Sequence, residues 1–251
     1  LRKYKHLFFD LDGTLWDLHR NTRLALNELF IQNQLDQKIE FDAFFKKYHH
    51  HNNIVWELYR KDKITKQALR TVRFERTFAE FDLFPSEAWI SNFADQFMTL
   101  APQQPHLMAG AIELLHHCKD KYHLHIITNG FQEVQGIKMK AGGIDHFFNQ
   151  IIFSEMAGSR KPNAQIFAHA LESAGANLEE SLMIGDDWEA DILGARDFGM
   201  DQAWLTSTED AMELMRLDVQ KLQKESHRNR IRHNYKPTFT IHSLHELQEK
   251  L

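Results

Sequence analysis

Downstream of Gly110 the sequence alternates between two kinds of apolar pattern, and that alternation limits the fold more than any other feature. Short continuous runs at residues 124–127, 151–153, 182–184, 203–205 and 239–241 fit strands buried on both faces. Between them apolar residues recur at helical spacing: Ile112, Leu114, Leu115 and Cys118; Val134, Ile137 and Met139; Ile166, Phe167, Ala170 and Leu171; Ile192, Leu193 and Phe198. Strands that alternate with helices need crossover connections, which are right-handed. The prediction is an α/β fold, a parallel sheet core with helices on both faces.

One more apolar run comes early. Residues 6–9 read as a buried strand that ends abruptly in Asp10-Leu11-Asp12-Gly13. Strand residues two apart share a face at about 7 Å, so the two carboxylates are expected to project together where Gly13 turns the chain away. Taken alone, the string also fits an ordinary strand end followed by an Asp-Gly turn. Like charges at the mouth of an apolar strand repel and lose hydration, so such a pair calls for a cation, a shared proton or both.

The pattern then turns helical. Leu24, Leu26, Leu29 and Phe30, then Phe41, Phe44, Phe45 and Tyr48, then Ile54, Val55, Leu58 and Tyr59 form successive stripes. Leu69, Val72, Phe74, Phe78 and Phe81 form another, and Trp89, Ile90, Phe93, Phe97 and Leu100 the last. A bundle of four or five helices follows, its phenylalanines packed in its core and its end set by Pro102 and Pro105. Because the first strand belongs to the sheet, the bundle is an insertion: residues 1–15 and 106–251 are predicted as the core domain and 16–105 as an all-helical cap domain. Ligands of open α/β sheets bind outside the carboxyl ends of the strands, where an insertion after the first strand would emerge over the pocket.

Composition narrows the function classes. A formal net charge of −5 makes a general nucleic-acid coat an unlikely role. No run approaches the roughly 18 apolar residues of a membrane span, and the start reads directly into a strand rather than as a signal peptide, so a cytoplasmic location is expected. The single Cys118 excludes an intramolecular disulfide and a cysteine-rich zinc site. His49, His50 and His51 are consecutive, and on a helix they would diverge by about 100° each rather than converge on an ion.

Three further strands end in polar residues. Thr128-Asn129-Gly130 offers a hydroxyl, an amide and turn N–H groups suited to phosphate oxygens. Lys161, in Ser159-Arg160-Lys161-Pro162, offers a point charge just before a helix that Pro162 is placed to begin. Asp186, in Gly185-Asp186-Asp187, adds hard oxygen donors suited to Mg²⁺, with Asp191 following on the next helix. Singly, each has a plain reading: a strand end, a solvated lysine, a helix cap at Asp187.

Their order and spacing say more. A strand ending in DLDGTL, one ending in TNG, RKP before a helix and a strand ending in GDDWEAD together resemble the four motifs of the haloacid dehalogenase-like (HAD) superfamily of hydrolases, with its Rossmann-like core. The resemblance implies a phosphatase in which Asp10 is the nucleophile and Asp12 the general acid/base. It implies phosphate contacts from Thr128, Asn129 and Lys161. It also implies a Mg²⁺ cofactor bound by Asp10, Asp186 and the main-chain carbonyl of Asp12, with Asp187 and Asp191 supporting the metal. Dehalogenases of the same fold usually lack an acid at the position of Asp12. The helical insertion resembles the subgroup with phosphoglycolate phosphatases, β-phosphoglucomutases and pyrimidine 5′-nucleotidases, and the FFDLDGTLWD and TNGF strings favour the nucleotidases. The implied partner is a small phosphorylated metabolite, a nucleotide, bound by a monomer or homodimer.

Residues 207–236 depart from this pattern. Met212, Met215, Val219 and Leu222 form an amphipathic stripe, followed by the basic run His227-Arg228-Asn229-Arg230-Ile231-Arg232-His233. It reads as an elaborated connection or dimer contact; the other reading, from a different class of function, is a polyanion-binding module.

Overall fold

The computed structural model describes residues 3–207 and 236–251. The chain divides into two compact units, one made of the described residues up to Asp17 and from Leu107 onward, the other of Leu18–His106.

In the first unit, strands β1 (His6–Phe9), β2 (His123–Thr128), β3 (Gln150–Phe153), β4 (Ser181–Gly185), β5 (Asp201–Leu205) and β6 (Phe239–Ile241) form a parallel sheet in the order β3-β2-β1-β4-β5-β6. Beyond β1, the predicted runs agree with these strands to within one or two residues. Side-chain alternation divides the sheet between two cores. Leu7, Phe9, Leu124, Ile126, Leu182 and Ile184 face one way, onto Leu114 and Leu115 of the helix Ala111–Cys118 and Leu244 and Leu247 of the helix Leu244–Lys250. Phe8, Ile127, Ile152 and Met183 face the other way, onto Ile166, Phe167 and Ala170 of the helix Ala164–Ala174. Burial on both faces is why these strands read as unbroken apolar runs. The strand order puts β1 inside the sheet, so its carboxyl end lies between those of β2 and β4.

The second unit has four helices: α1 (Leu18–Gln32), α2 (Phe41–Arg60), α3 (Lys66–Ala79) and α4 (Glu87–Leu100), with Glu40, Thr65 and Ser86 capping the last three through their side-chain oxygens. Two of the predicted stripes are one helix, because residues 49–53 of α2 contain neither glycine nor proline and nothing stops the turn between them. Phe30, Phe44, Phe74, Phe78 and Phe93 are buried, with rings meeting at edge-on or tilted angles. Two stripe assignments differ. Leu24 is exposed, since α1 buries Thr22, Ala25, Leu26 and Leu29 instead. On α3 the buried residue is Arg73 rather than Val72. Its guanidinium stacks on Phe74 and Phe97 at 5.1 and 4.9 Å and donates to Asn52 Oδ1 at 3.2 Å, so an apolar pocket holds a cation through ring faces.

Candidate active site

β1 is followed directly by Asp10, whose backbone N–H extends the pairing by donating to Ile184 O at 2.8 Å. The chain then turns tightly. Gly13 adopts φ +88°, and a Cβ there would come within 2.8 Å of the Asp186 carboxylate carbon, so both the backbone angle and the close approach require glycine. Thr14 Oγ1 donates to Asp186 Oδ1 at 2.7 Å, tying the turn after β1 to the residue that ends β4.

Carboxylate oxygens of Asp10, Asp186 and Asp191 all lie within 4.8 Å of one another. Lys161 pairs with two members of this group, Asp10 and Asp191. It is 1% exposed, with Nζ 2.6 Å from Asp10 Oδ1, 2.6 Å from Asp191 Oδ1 and 2.7 Å from the Ile127 carbonyl it donates to. Burial disfavours charge on Lys161, yet Asp10 and Asp191 outweigh it and hold the ammonium above its ordinary range. The acids respond in the opposite direction. Burial pushes Asp10 up while Lys161 pulls it back and Asp12 adds to the rise. Asp186 is pushed well up by burial and then by the charges of Asp10 and Asp191, and burial carries Asp191 to about 7 against the pull of Lys161.

Three carboxylates and one ammonium leave two negative charges uncompensated when all are ionised. A divalent cation with a taste for hard oxygen balances that deficit, so the residues present fit Mg²⁺. Asp10 and Asp186 are the carboxylates that could ligate it. Asp191 is already committed, Oδ1 to Lys161 and Oδ2 to the N–H of Asp187 at 3.1 Å, and so braces the site. Asp187 caps the following turn, its Oδ1 accepting from the N–H groups of Glu189 and Ala190. That turn, Trp188–Leu193, is π-helical rather than a plain α-helix.

Two residues of the expected phosphate pocket are engaged in ways the sequence does not show. Asn129 exchanges hydrogen bonds with the backbone of Lys161, its Oδ1 accepting from Lys161 N and its Nδ2 donating to Lys161 O, both at 2.9 Å. The amide thus tethers the lysine, and its second amide hydrogen is what remains for a ligand. Pro162 does not begin the helix after Lys161. The Lys161–Pro162 peptide is cis, and Asn163 caps the helix that starts at Ala164. Thr128 Oγ1 accepts from Gly130 N at 3.0 Å and from Gln135 Nε2 at 2.7 Å; with both acceptor positions filled, its proton is the part left to give.

Asp12 stands apart from the cluster of three. Its Oδ1 is 2.6 Å from Lys138 Nζ and its Oδ2 accepts from Gln135 Nε2 at 2.9 Å, both residues belonging to the helix Gln132–Ala141. Sequence reasoning missed this pair and chose Ile137 for that helix's buried stripe, yet Ile137 is exposed while Gln135 and Lys138 are buried. The readable signal was spacing: Val134, Gln135, Lys138 and Met139 recur at three and four, and two of the four are polar. The basic run His227–His233 and most of 207–236 lie outside the described residues. Among those described, no helix is long and apolar enough to cross a membrane.

A model of the haloacid dehalogenase-like hydrolase family matches residues 4–199. Pyrimidine 5′-nucleotidase YjjG of Escherichia coli (strain K12) is 32% identical over 255 residues, covering 99% of this chain and 98% of that protein. Pyrimidine 5′-nucleotidase PynA of Streptococcus pneumoniae is 32% identical over 203 residues, 80% of this chain and 83% of PynA. The crystal structure of Bacillus subtilis YfnB bound to magnesium superposes with a TM-score of 0.79 at 25% identity, covering 100% of this chain and 99% of that one. On the family match and the full-length similarity, the chain belongs to the haloacid dehalogenase-like hydrolases.

Proposed function

We propose that the protein is a Mg²⁺-dependent phosphomonoesterase that acts through a phosphoryl group carried on Asp10, and that its substrates are nucleoside 5′-monophosphates with a pyrimidine base. The observation that carries the first half is the cluster of Asp10, Asp186 and Asp191 at the strand ends, with Lys161 paired to Asp10 and Asp191, a net-negative group whose charge a divalent cation neutralises before a phosphate dianion enters. The second half rests on similarity to two proteins named pyrimidine 5′-nucleotidases.

Asp10 attacks phosphorus in line with the ester oxygen, forming an aspartyl-phosphate and expelling the alcohol. Lys161, fixed by Asn129 and Asp191, puts an ammonium beside the attacking carboxylate, where negative charge gathers as the dianion approaches. Thr128 donates its hydroxyl proton to a phosphate oxygen. Asp12 protonates the departing oxygen, then takes a proton from the water that attacks the phosphorus of the aspartyl-phosphate, releasing inorganic phosphate and restoring Asp10. Mg²⁺ on Asp10, Asp186 and the Asp12 carbonyl would supply electrostatic neutralisation of the phosphoryl oxygens.

The test is kcat/KM for dUMP, dTMP, UMP, AMP, phosphoglycolate and glucose 6-phosphate under one set of Mg²⁺ conditions. Pyrimidine nucleotides should lead the series. A tenfold or greater preference for either non-nucleotide ester would overturn the substrate assignment, and absence of turnover on all six would overturn the phosphatase reading.

A further inference from the structure

The helix Gln132–Ala141 carries two buried polar residues one turn apart, and both reach the same carboxylate. Lys138 Nζ meets Asp12 Oδ1 at 2.6 Å, and Gln135 Nε2 donates to Asp12 Oδ2 at 2.9 Å. Each partner is itself held. The Lys138 ammonium lies 4.5 Å from the centroid of the Trp16 ring, and Trp16 in turn pairs through its backbone with both Asp12 and Leu107. Gln135 is fully buried, its Nε2 also donates to Thr128 Oγ1, and it packs so closely on Gly130 that a Cβ there would overlap the amide. The orientation of that amide is fixed by charge: turned over, its oxygen would face a carboxylate.

We propose that Lys138 and Gln135 are positioning residues for the general acid/base of the reaction, gripping one oxygen of Asp12 each so that its carboxyl plane is set before substrate binds. The inference rests on the proposed role of Asp12. Each oxygen keeps a second lone pair beyond the one used, so a gripped carboxyl can still carry and deliver a proton. Gln135 adds a link that Lys138 lacks. By filling an acceptor position on Thr128 while holding Asp12, it ties the orientation of the phosphate-binding hydroxyl to that of the acid. Rotation of the Asp12 side chain then costs two part-buried contacts at once, whereas an unheld aspartate just before a glycine turn would sample several rotamers.

A plainer account exists: Lys138 is a buried cation and Asp12 merely its counter-charge. The two accounts differ in one observable. An alkoxide must be protonated as it leaves, whereas p-nitrophenolate departs unprotonated, so misplacing the acid harms alkyl esters and spares the aryl ester. A loss of stability makes no such distinction. kcat/KM reports the steps through departure of the alcohol, which isolates the acid role from the later use of Asp12 as base.

The experiment compares kcat/KM for dUMP and p-nitrophenyl phosphate in the full-length wild type, Lys138→Met, Lys138→Arg and Gln135→Met, with thermal melts of each. Methionine preserves bulk and removes the donor, and two independent sites guard against one variant failing to fold. The expected result is a loss of about 10- to 100-fold on dUMP for each methionine variant, a loss of a few fold at most on p-nitrophenyl phosphate, and recovery of most dUMP activity in Lys138→Arg. Equal losses on both esters, or none on either, would overturn the proposal. Failure of the underlying phosphatase reading looks different, because wild type would then hydrolyse neither ester.

Discussion

Lys161→Met removes the one ammonium inside the group of three acids while keeping most of the side chain's volume. In the wild type its Nζ lies 2.6 Å from both Asp10 and Asp191. Without it, carboxylate oxygens within 4.8 Å of one another face each other unscreened. At an effective dielectric of about 20, each such pair repels by about 3.5 kcal/mol if both are ionised, and stripping one partner from a buried ion pair costs about 3–5 kcal/mol. For a chain of this length, about 2–4 °C of Tm per kcal/mol converts that cost to a fall of about 6–20 °C. Turnover should fall about 10²- to 10³-fold through loss of a preorganised electrostatic partner. The assay is a thermal melt in EDTA and across a MgCl₂ series, with steady-state kinetics at saturating Mg²⁺. A more negative site should bind a divalent cation more tightly, so the Mg²⁺ concentration that half-restores Tm should be lower for the variant than for wild type. A variant that melts with the wild type in EDTA and turns over at wild-type kcat would refute the reasoning, because neither the buried pair nor the charge would then matter.

Gly13→Ala forces an L side chain to φ +88° against the Asp186 carboxylate, so a cost of about 1–3 kcal/mol in melting and a marked loss of Mg²⁺-dependent activity are expected; wild-type values for both would contradict the close approach described above. The last of this group concerns acid. His125 is buried, its Nε2 lies 3.1 Å from His6 Nδ1, and burial, then the neighbouring His6 and His123, lower its pKa to about 4. His6, which also faces Glu180 and Lys5, is lowered too, first by burial. A histidine depressed in the folded state contributes stability that is present above its unfolded value of 6.5 and is lost as pH falls through about 4. The gap amounts to roughly 3 kcal/mol. The unfolding free energy of wild type minus that of His125→Leu should therefore decline by that order between pH 6.5 and 4; parallel pH curves would show that the imidazole is not held neutral.

The sheet was legible because physics writes it twice. Strands buried on both faces must be apolar throughout, and strand ends that carry chemistry must be polar, so His6–Phe9 followed by Asp10 and Ser181–Gly185 followed by Asp186 mark both the strand boundaries and the candidate site. Lys161 was legible as a charge but not as a buried one. Its burial depends on Asp191, thirty positions away and on a π-helical turn that periodicity reads as α-helix. The same limit hid Gln135, Lys138 and Arg73. A polar residue on a buried stripe looks like an error in the pattern until its partner is known, and Asp12, Thr128, Phe74 and Phe97 become partners only in three dimensions. Asn129 shows the converse case: its position at a strand end was right, while its amide turned out to serve the backbone of Lys161.

Transfer of the phosphoryl group to Asp10, the step proposed above, leaves a covalent mark that can be trapped. Wild type mixed with substrate and Mg²⁺ in single turnover, quenched in acid within milliseconds and reduced with borohydride, should yield a peptide in which the side chain at position 10 has been converted from acyl phosphate to alcohol, with that conversion absent in EDTA and in Asp10→Asn. Phosphate released at the normal rate with an unmodified Asp10 peptide, or the modification found at another residue, would contradict the account.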